Sequence, residues 1–238
     1  MKQTSAELKR RARESLRGYW GMIIGVSVLM NLIVYAAMLP FYIPYIINQN
    51  VSVAVTYSIA VILISLASVV LQAGITGMQM KVAKKQQISI GMMFSQFQNR
   101  PDRYILGSLL LGILGIGCLL PGYFVILTGA LGSQVLVVLL GILLVIAGLV
   151  LCMILTFRYS LIVYLFLENP QMRVMEAYRK SAEMMRGNKG RLFYIYLSFI
   201  GWSILAMFSC GIGMLWVIPY MAQTNVQFYL DVKEEQNQ

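Results

Sequence analysis

Polar and apolar positions along this chain fall into blocks. Every Asp, Glu, Lys and Arg lies before Gly18, between Lys81 and Arg103, between Arg158 and Arg191, or after Leu230. The stretches 18–80, 104–157 and 192–230 carry no formal charge. A hydrocarbon core about 30 Å thick is crossed by about 20 residues of helix, so each stretch has room for two spans. The pattern predicts an all-α polytopic membrane protein with six transmembrane helices as three hairpins. The spans are expected at about 19–39, 53–80, 104–127, 135–157, 192–208 and 214–230. The connectors "NQNVS", "TGALGSQ" and "SCGIG" are uncharged, whereas Lys81–Arg103 and Arg158–Arg191 are basic. Basic loops are retained in the cytoplasm. Both termini are therefore expected there, with the turns near Gln49, Gly132 and Gly211 outside. One membrane domain, 1–238, then divides into segments 1–18, 19–80, 81–103, 104–157, 158–191, 192–230 and 231–238.

The charged islands have their own periodicity. Thr4 and Glu7 have capping-box spacing, and Leu8, Ala12, Leu16 and Tyr19 recur at helical intervals among Lys9, Arg10, Arg11, Arg13 and Arg17. Before the fifth span, Asn169 and Pro170 suit an N-cap and first helical position, followed by a stripe of Met172, Met175, Tyr178, Ala182 and Met185. Before the third, Ser89 can cap a shorter version in which Ile90, Met93 and Phe97 face lipid, ended by Pro101. These patterns predict short amphipathic helices lying flat on the cytoplasmic leaflet before spans one, three and five. Residues 14–21, "ESLRGYWG", and 183–190, "EMMRGNKG", share E-x-x-R-G-x-x-G where two of these segments meet their spans. The string reads as a corner. A threefold repeat of parallel units and three independent basic segments both account for it.

Composition sharpens the membrane reading. The chain has 238 residues, 59% of them hydrophobic and 12% charged, with a mean hydropathy of +0.73. Its net charge of +10 sits beside the spans rather than on a soluble basic face, which argues against a nucleic-acid partner. The apolar run from Tyr19 to Ile47 exceeds a signal-peptide core of about 7 to 15 residues and is expected to stay as an anchor. Cys118, Cys152 and Cys210 lack pairing or ligand spacing and read as small hydrophobes. With no histidine and no ionisable residue inside the spans, no nucleophilic, metal or acid/base constellation emerges. Glycine strings such as "GILGIG" lack the Lys and Ser/Thr of a phosphate loop. The expectation is a protein that is not an enzyme and uses no cofactor or metal.

Several polar residues remain to be explained. Ser58, Ser65, Ser68, Gln72, Thr76 and Gln79 share a face of the second span, either as interhelical packing contacts or as a cavity wall. Ser108, Gly112, Gly115 and Gly122 form a small-residue face on the third. The sixth combines Pro219 with Gln223, Gln227 and Asp231 at i, i+4 and i+8. Arg158 precedes nine further apolar residues, and either snorkels to headgroups or pairs with Asp231 or Glu168. These residues place the expected functional surface at Arg158, Gln223, Gln227 and Asp231, with Gln72, Thr76 and Gln79 lining any path. Arg10, Arg11, Arg13, Arg17, Arg173, Arg179, Lys180 and Arg186 are the expected contacts to anionic lipid headgroups.

"LSFIGW" at Leu197 to Trp202, "GIGMLWVIPY" at Gly211 to Tyr220 and "FY" at Phe228 and Tyr229 resemble the bacterial membrane family catalogued as domain of unknown function 975. "RYSLIVYLFLENP", "EAYRKSAEMMRGNK" and "LRGYW" are similar to that family's other marked regions. The resemblance implies a six-helix integral membrane protein of bacteria without an assigned activity. A more distant similarity, P-x-x-x-x-x-A-x-x-x-S at Pro170 to Ser181, is to membrane domains attached to glycerophosphodiester phosphodiesterases. Neither resemblance supplies catalytic residues. Two functions stay open: a non-catalytic module of the cell envelope that binds membrane lipids, a protein partner or a second copy of itself, and a transporter or amphiphile-translocating protein with a path along spans two and six.

Overall fold

The computed structural model describes residues 3–48 and 50–236. The turn expected at Gln49 lies outside the described residues, as do positions 237–238 of the tail. The described residues contain helices and turns and no strand. The helices are α1 (Ser5–Leu16), α2 (Trp20–Ile47), α3 (Val51–Ala83), α4 (Ser95–Gln98), α5 (Pro101–Leu131), α6 (Val135–Arg158), α7 (Ile162–Glu168), α8 (Val174–Met184), α9 (Lys189–Phe208) and α10 (Met214–Gln236). Five segments are long and apolar enough to cross a membrane: α2, α3, α5, α6 continued through α7, and α9. The expected sixth span, α10, is not among them. Its second half carries Gln223, Thr224, Asn225, Gln227, Asp231 and Lys233, so its apolar run is short. It stays helical through the first residues of the charged tail, to Gln236.

The amphipathic segments differ from expectation in what they cover. Thr4 caps α1 by accepting the Glu7 amide at 3.3 Å. Glu7 does not complete the box, because its carboxylate is taken by Arg10 and Arg11. Leu8, Ala12 and Leu16 are fully buried against the protein rather than lying on a leaflet. Complete burial of a leucine stabilises by about 2 kcal/mol. In α8 the buried face is Ala177, Tyr178, Ser181 and Met184, while Met175 of the expected stripe is exposed. Asn169 is not that helix's cap: it closes α7, and α8 starts after Arg173. In the third segment Met93 turns inward while Ile90 and Phe97 stay exposed. A Cβ on Gly74 would stand 2.1 Å from the Met93 carbonyl oxygen, so only glycine admits this approach. The repeated string is a corner in both copies. Gly18 has φ +91° and Gly187 φ +75°, a conformation that L side chains rarely adopt.

Hairpin α5–α6 is built on close backbone contact. A Cβ on Gly148 would meet the Cys118 oxygen at 2.3 Å, one on Gly141 the Ile126 nitrogen at 2.7 Å, one on Gly122 the Val145 nitrogen at 2.7 Å and one on Gly129 the Val138 nitrogen at 2.8 Å. Of the small-residue face expected on the third span, only Gly122 works this way. Gly112 faces open space, and Ser108 donates back to Ile105 of its own helix.

The charged segments gather at one end of the molecule, around a core that includes Leu8, Leu161, Leu165, Phe166, Met184, Phe199, Phe228 and Tyr229. The apolar run after Arg158 is explained here. It breaks at Tyr159–Leu161 and returns as α7, whose Ile162, Tyr164, Leu165 and Phe166 enter that core.

Candidate functional site

Five pieces of chain meet at the charged end: the last turns of α3, the 3-10 turn and α4 that follow it, α7, α8 and the second half of α10. They enclose an open cavity of about 780 Å³. Four lysines line it, Lys81 and Lys84 from α3 and its end, Lys180 from α8 and Lys233 from α10, together with one carboxylate, Glu168. Glu168 closes α7, where its side chain is only 12% exposed. It accepts from Lys84 at 3.3 Å, from Lys233, and from the Tyr229 hydroxyl at 2.6 Å. Tyr229 is fully buried and stacks on Tyr164 at 5.0 Å between ring centroids. That packing fixes the hydroxyl and so the carboxylate. Glu168 answers only part of the lysine charge. A concave wall with one sign of charge focuses potential into the cavity.

A further cation stands behind this wall. Arg103 is 2% exposed. It donates to the Asn169 carbonyl at 3.0 Å and to the Tyr104 hydroxyl at 3.3 Å, and lies 5.3 Å from the Phe166 ring. Its Nε has no hydrogen-bond partner, and among the described residues no carboxylate pairs with it. The Tyr104 hydroxyl donates on to Gln96 at 2.8 Å, and both Gln96 and Asn169 line the cavity. A buried charge normally has a partner. Here the hydrogen-bonded acceptors are neutral, so the charge of Arg103 adds to that of the lysines around the cavity.

The α8 wall is held by two buried polar contacts. Tyr178 donates to the Gly107 carbonyl at 2.7 Å, and Ser181 donates to the Arg158 carbonyl at 3.1 Å. Burial, with Tyr159 beside it, pushes the Tyr178 phenol up to about 12, so it stays a donor at neutral pH.

The residues expected to form the site are distributed otherwise. Arg158 and Asp231 are not partners. Asp231 is held by Arg191, which also donates to Glu235 at 2.7 Å, to Asn188 at 3.0 Å and to the Gln3 carbonyl at 3.0 Å. Arg158 is exposed beside the ring of Tyr159, and Glu168, its other expected carboxylate, is taken by Lys84 and Lys233. Gln223 is buried and ties three helices together, donating to Ser15 Oγ at 3.0 Å and to the Gln79 carbonyl at 3.2 Å. Gln227 and Gln79 are buried near it on α10 and α3. Ser68, Gln72 and Thr76 line a separate groove of about 410 Å³ with Ser160 and Tyr164. Ser58, Ser65, Ser68 and Thr76 donate to carbonyls of their own helix, so their hydroxyls make no interhelical bond.

The eight cations expected at headgroups, Arg10, Arg11, Arg13, Arg17, Arg173, Arg179, Lys180 and Arg186, are all exposed. Arg10 pairs with Glu7 and Glu14, and Arg11 with Glu7. Only Lys180 reaches the cavity. Lys9, on the same helix as three of them, turns inward instead. Its ammonium donates to the Ser198 carbonyl at 3.1 Å and lies 4.3 Å from the Phe199 ring centroid, and burial holds it below the usual lysine range. Sequence reasoning missed Lys81, Lys84, Arg103, Glu168, Arg191 and Lys233 as a set. A local signal existed for Glu168 alone, the charged residue that ends the apolar run of α7.

The family model described as Protein of unknown function (DUF975) matches residues 1–236. No curated protein and no solved structure matches the chain.

Proposed function

Because the chain belongs to the family described as Protein of unknown function (DUF975), whose description assigns no activity, we propose a function from the charged-end cavity. In this reading the protein is a non-catalytic module of the bacterial cell membrane that binds an anionic, phosphate-bearing headgroup at the cytoplasmic face. The observation that carries the proposal is the wall of four lysines whose charge one carboxylate only partly neutralises, with buried Arg103 behind it. Lysine ammoniums and a guanidinium field suit phosphate oxygens. The orientation follows from charge: hairpins α2–α3 and α5–α6 hold no formal charge between their ends, and every basic segment sits at the cavity end, the side on which basic loops are retained.

Binding is preferred to covalent chemistry because the chain has no histidine and the single carboxylate of the cavity is already held by Lys84, Lys233 and Tyr229. Translocation along α3 and α10 has less support, since Gln223 bridges those helices where a path would run.

Native mass spectrometry of the full chain tests the binding reading. After exposure to equal amounts of phosphatidylglycerol and phosphatidylcholine, the protein should retain the anionic lipid in excess, and Lys81→Gln with Lys180→Gln should abolish the excess. Equal retention of both lipids would overturn the proposal. Competition by millimolar inorganic phosphate would assign the site to free phosphate rather than to a headgroup.

A further inference from the structure

We infer that hairpin α9–α10 does not cross the membrane: it enters one leaflet from the charged end and turns back, a re-entrant wedge solvated by the acyl chains of that leaflet. This stands apart from the headgroup site and does not depend on it.

Three contacts set the depth. Trp20, the first residue of α2, lies against Tyr220 with ring centroids 6.3 Å apart. From there α2 continues to Ile47, about 40 Å at 1.5 Å per residue, whereas α10 has only about 9 Å left back to Met214. Gln223 donates to the Gln79 carbonyl. From that level α3 extends about 42 Å back to Val51 and α10 about 14 Å to Met214. Phe157, near the end of α6, stacks on Tyr196 at 5.8 Å. Beyond that contact α6 has about 33 Å to Val135 and α9 about 18 Å to Phe208. Each comparison leaves the α9–α10 turn short of the other two turns, by roughly 15 to 31 Å. A tilt of roughly 20°, usual for membrane helices, shortens the long helices by only about 6% and does not close the gap. The outward position expected for Gly211 is therefore replaced by one inside the hydrocarbon.

The chemistry of the turn agrees. A loop in hydrocarbon is stabilised by satisfying its backbone donors internally, and most of those at this tip are. The amides of Ser209 and Gly211 donate to the Ala206 carbonyl, Ile212 to Ser209, and Met214 to Gly211, at 3.0–3.2 Å. The Gly213 amide donates to Ser209 Oγ at 2.8 Å, and that hydroxyl donates to Ala206 at 2.7 Å. The one hydroxyl at the tip is thus used within the tip. The other two turns display Asn48, Asn50 and Ser52, and Ser133 and Gln134, in the same places. Around the wedge, Leu205, Met207, Phe208, Ile212 and Trp216 are each at least half exposed, and residues 192–230 hold no charge. Acyl chains are the partner such a surface fits.

Accessibility of single thiols tests this in the full chain reconstituted in vesicles. With Cys118→Ala and Cys152→Ala, native Cys210 is the lone thiol at the tip; a companion variant carries Cys210→Ala and Ser133→Cys. A membrane-impermeant maleimide should label Ser133→Cys from one face, and labelling of Cys210 from that face should be lost, although Cys210 reacts once detergent is added. A nitroxide on Cys210 should collide with oxygen in preference to a water-soluble nickel chelate, with the preference reversed at position 133. Labelling of Cys210 from the face that labels position 133 would overturn the inference. So would failure of position 133 to label from either face, because the long hairpin would then be no reference.

Discussion

In hairpin α5–α6, four glycines bring two backbones into contact, and large side chains such as Ile113, Phe124, Leu136 and Leu143 point away from the protein. At the charged end the arrangement is inverted. Phe166, Phe199, Phe228 and Tyr229 are buried, and the polar groups form ion pairs and hydrogen bonds. Lipid tails are as apolar as leucine, so nothing drives large apolar side chains together within the bilayer, and helices associate by close packing of small residues. Near water the hydrophobic effect returns and builds an aromatic core. One chain therefore uses two kinds of cohesion, and substitutions should separate them.

The largest expected effect is at Arg191. Its side chain and that of Asp231 are 20% and 4% exposed, so Arg191→Met strands a buried carboxylate and should cost about 3 kcal/mol, a figure that residual solvent screening would reduce. Denaturation of the purified protein measures it. Adding Asp231→Asn should recover part of the loss, whereas Arg158→Gln with Asp231→Asn should be additive. Coupling between Arg158 and Asp231 would contradict the observed pairing.

Next comes the hairpin. Gly148→Ala drives a methyl group into the Cys118 carbonyl and should destabilise by about 2 kcal/mol, while Gly112→Ala, with open space beside it, should be neutral or slightly stabilising. If the two ends are separately cohesive, Gly148→Ala should leave anionic-lipid retention intact. Gly74→Ala, in the cavity wall against Met93, should reduce it. Equal effects of Gly148→Ala and Gly74→Ala on retention would erase the distinction between the regions.

The same division explains what the sequence made legible. Blocks of charge located most ends of the long apolar helices to within about four residues, although α2 runs through Pro40 and Pro44 to Ile47 where an end was expected at Leu39, and the repeated Arg-Gly strings marked two corners whose glycines have positive φ, because both features are local. The stripes of α1 and α8 were legible as amphipathic, but a stripe that faces lipid and one that faces a protein core have the same period. That ambiguity hid the docking of Leu8 and Leu16. The cavity was not legible, since Lys84, Glu168 and Lys233 meet only through tertiary contacts across 65 to 84 positions. Depth misled as well. Residues 214–230 carry no formal charge and so read as a span, but the polar residues from Gln223 onward leave α10 without the apolar length that the other long helices have.

A smaller effect is expected at the first cap. Thr4→Ala removes the acceptor of the Glu7 amide and should cost about 1 kcal/mol. The loss should appear first as faster amide exchange in α1, because the cap lies at the edge of the core. Unchanged exchange in α1 would show that docking of Leu8, Ala12 and Leu16, rather than the cap, holds that helix in place.

The smallest expected effect tests how far the charged-end core behaves as a dry interior. Burial depresses the Lys9 pKa, so charged Lys9 costs folding free energy even with the Ser198 carbonyl and the Phe199 ring beside it. Below its folded-state pKa the lysine is protonated in both states and the cost is constant. Between that value and the ordinary lysine range the unfolded chain binds more protons than the folded one, so stability rises with pH. Lys9→Met, which keeps the apolar stem, should remove this alkaline rise and slightly stabilise the protein near neutrality. Comparing the two proteins pH by pH cancels the titration of the other lysines and tyrosines. A parallel pair of curves would mean that Lys9 reaches water in the folded protein, and that α1 packs less tightly on α9 than the aromatic core behind it.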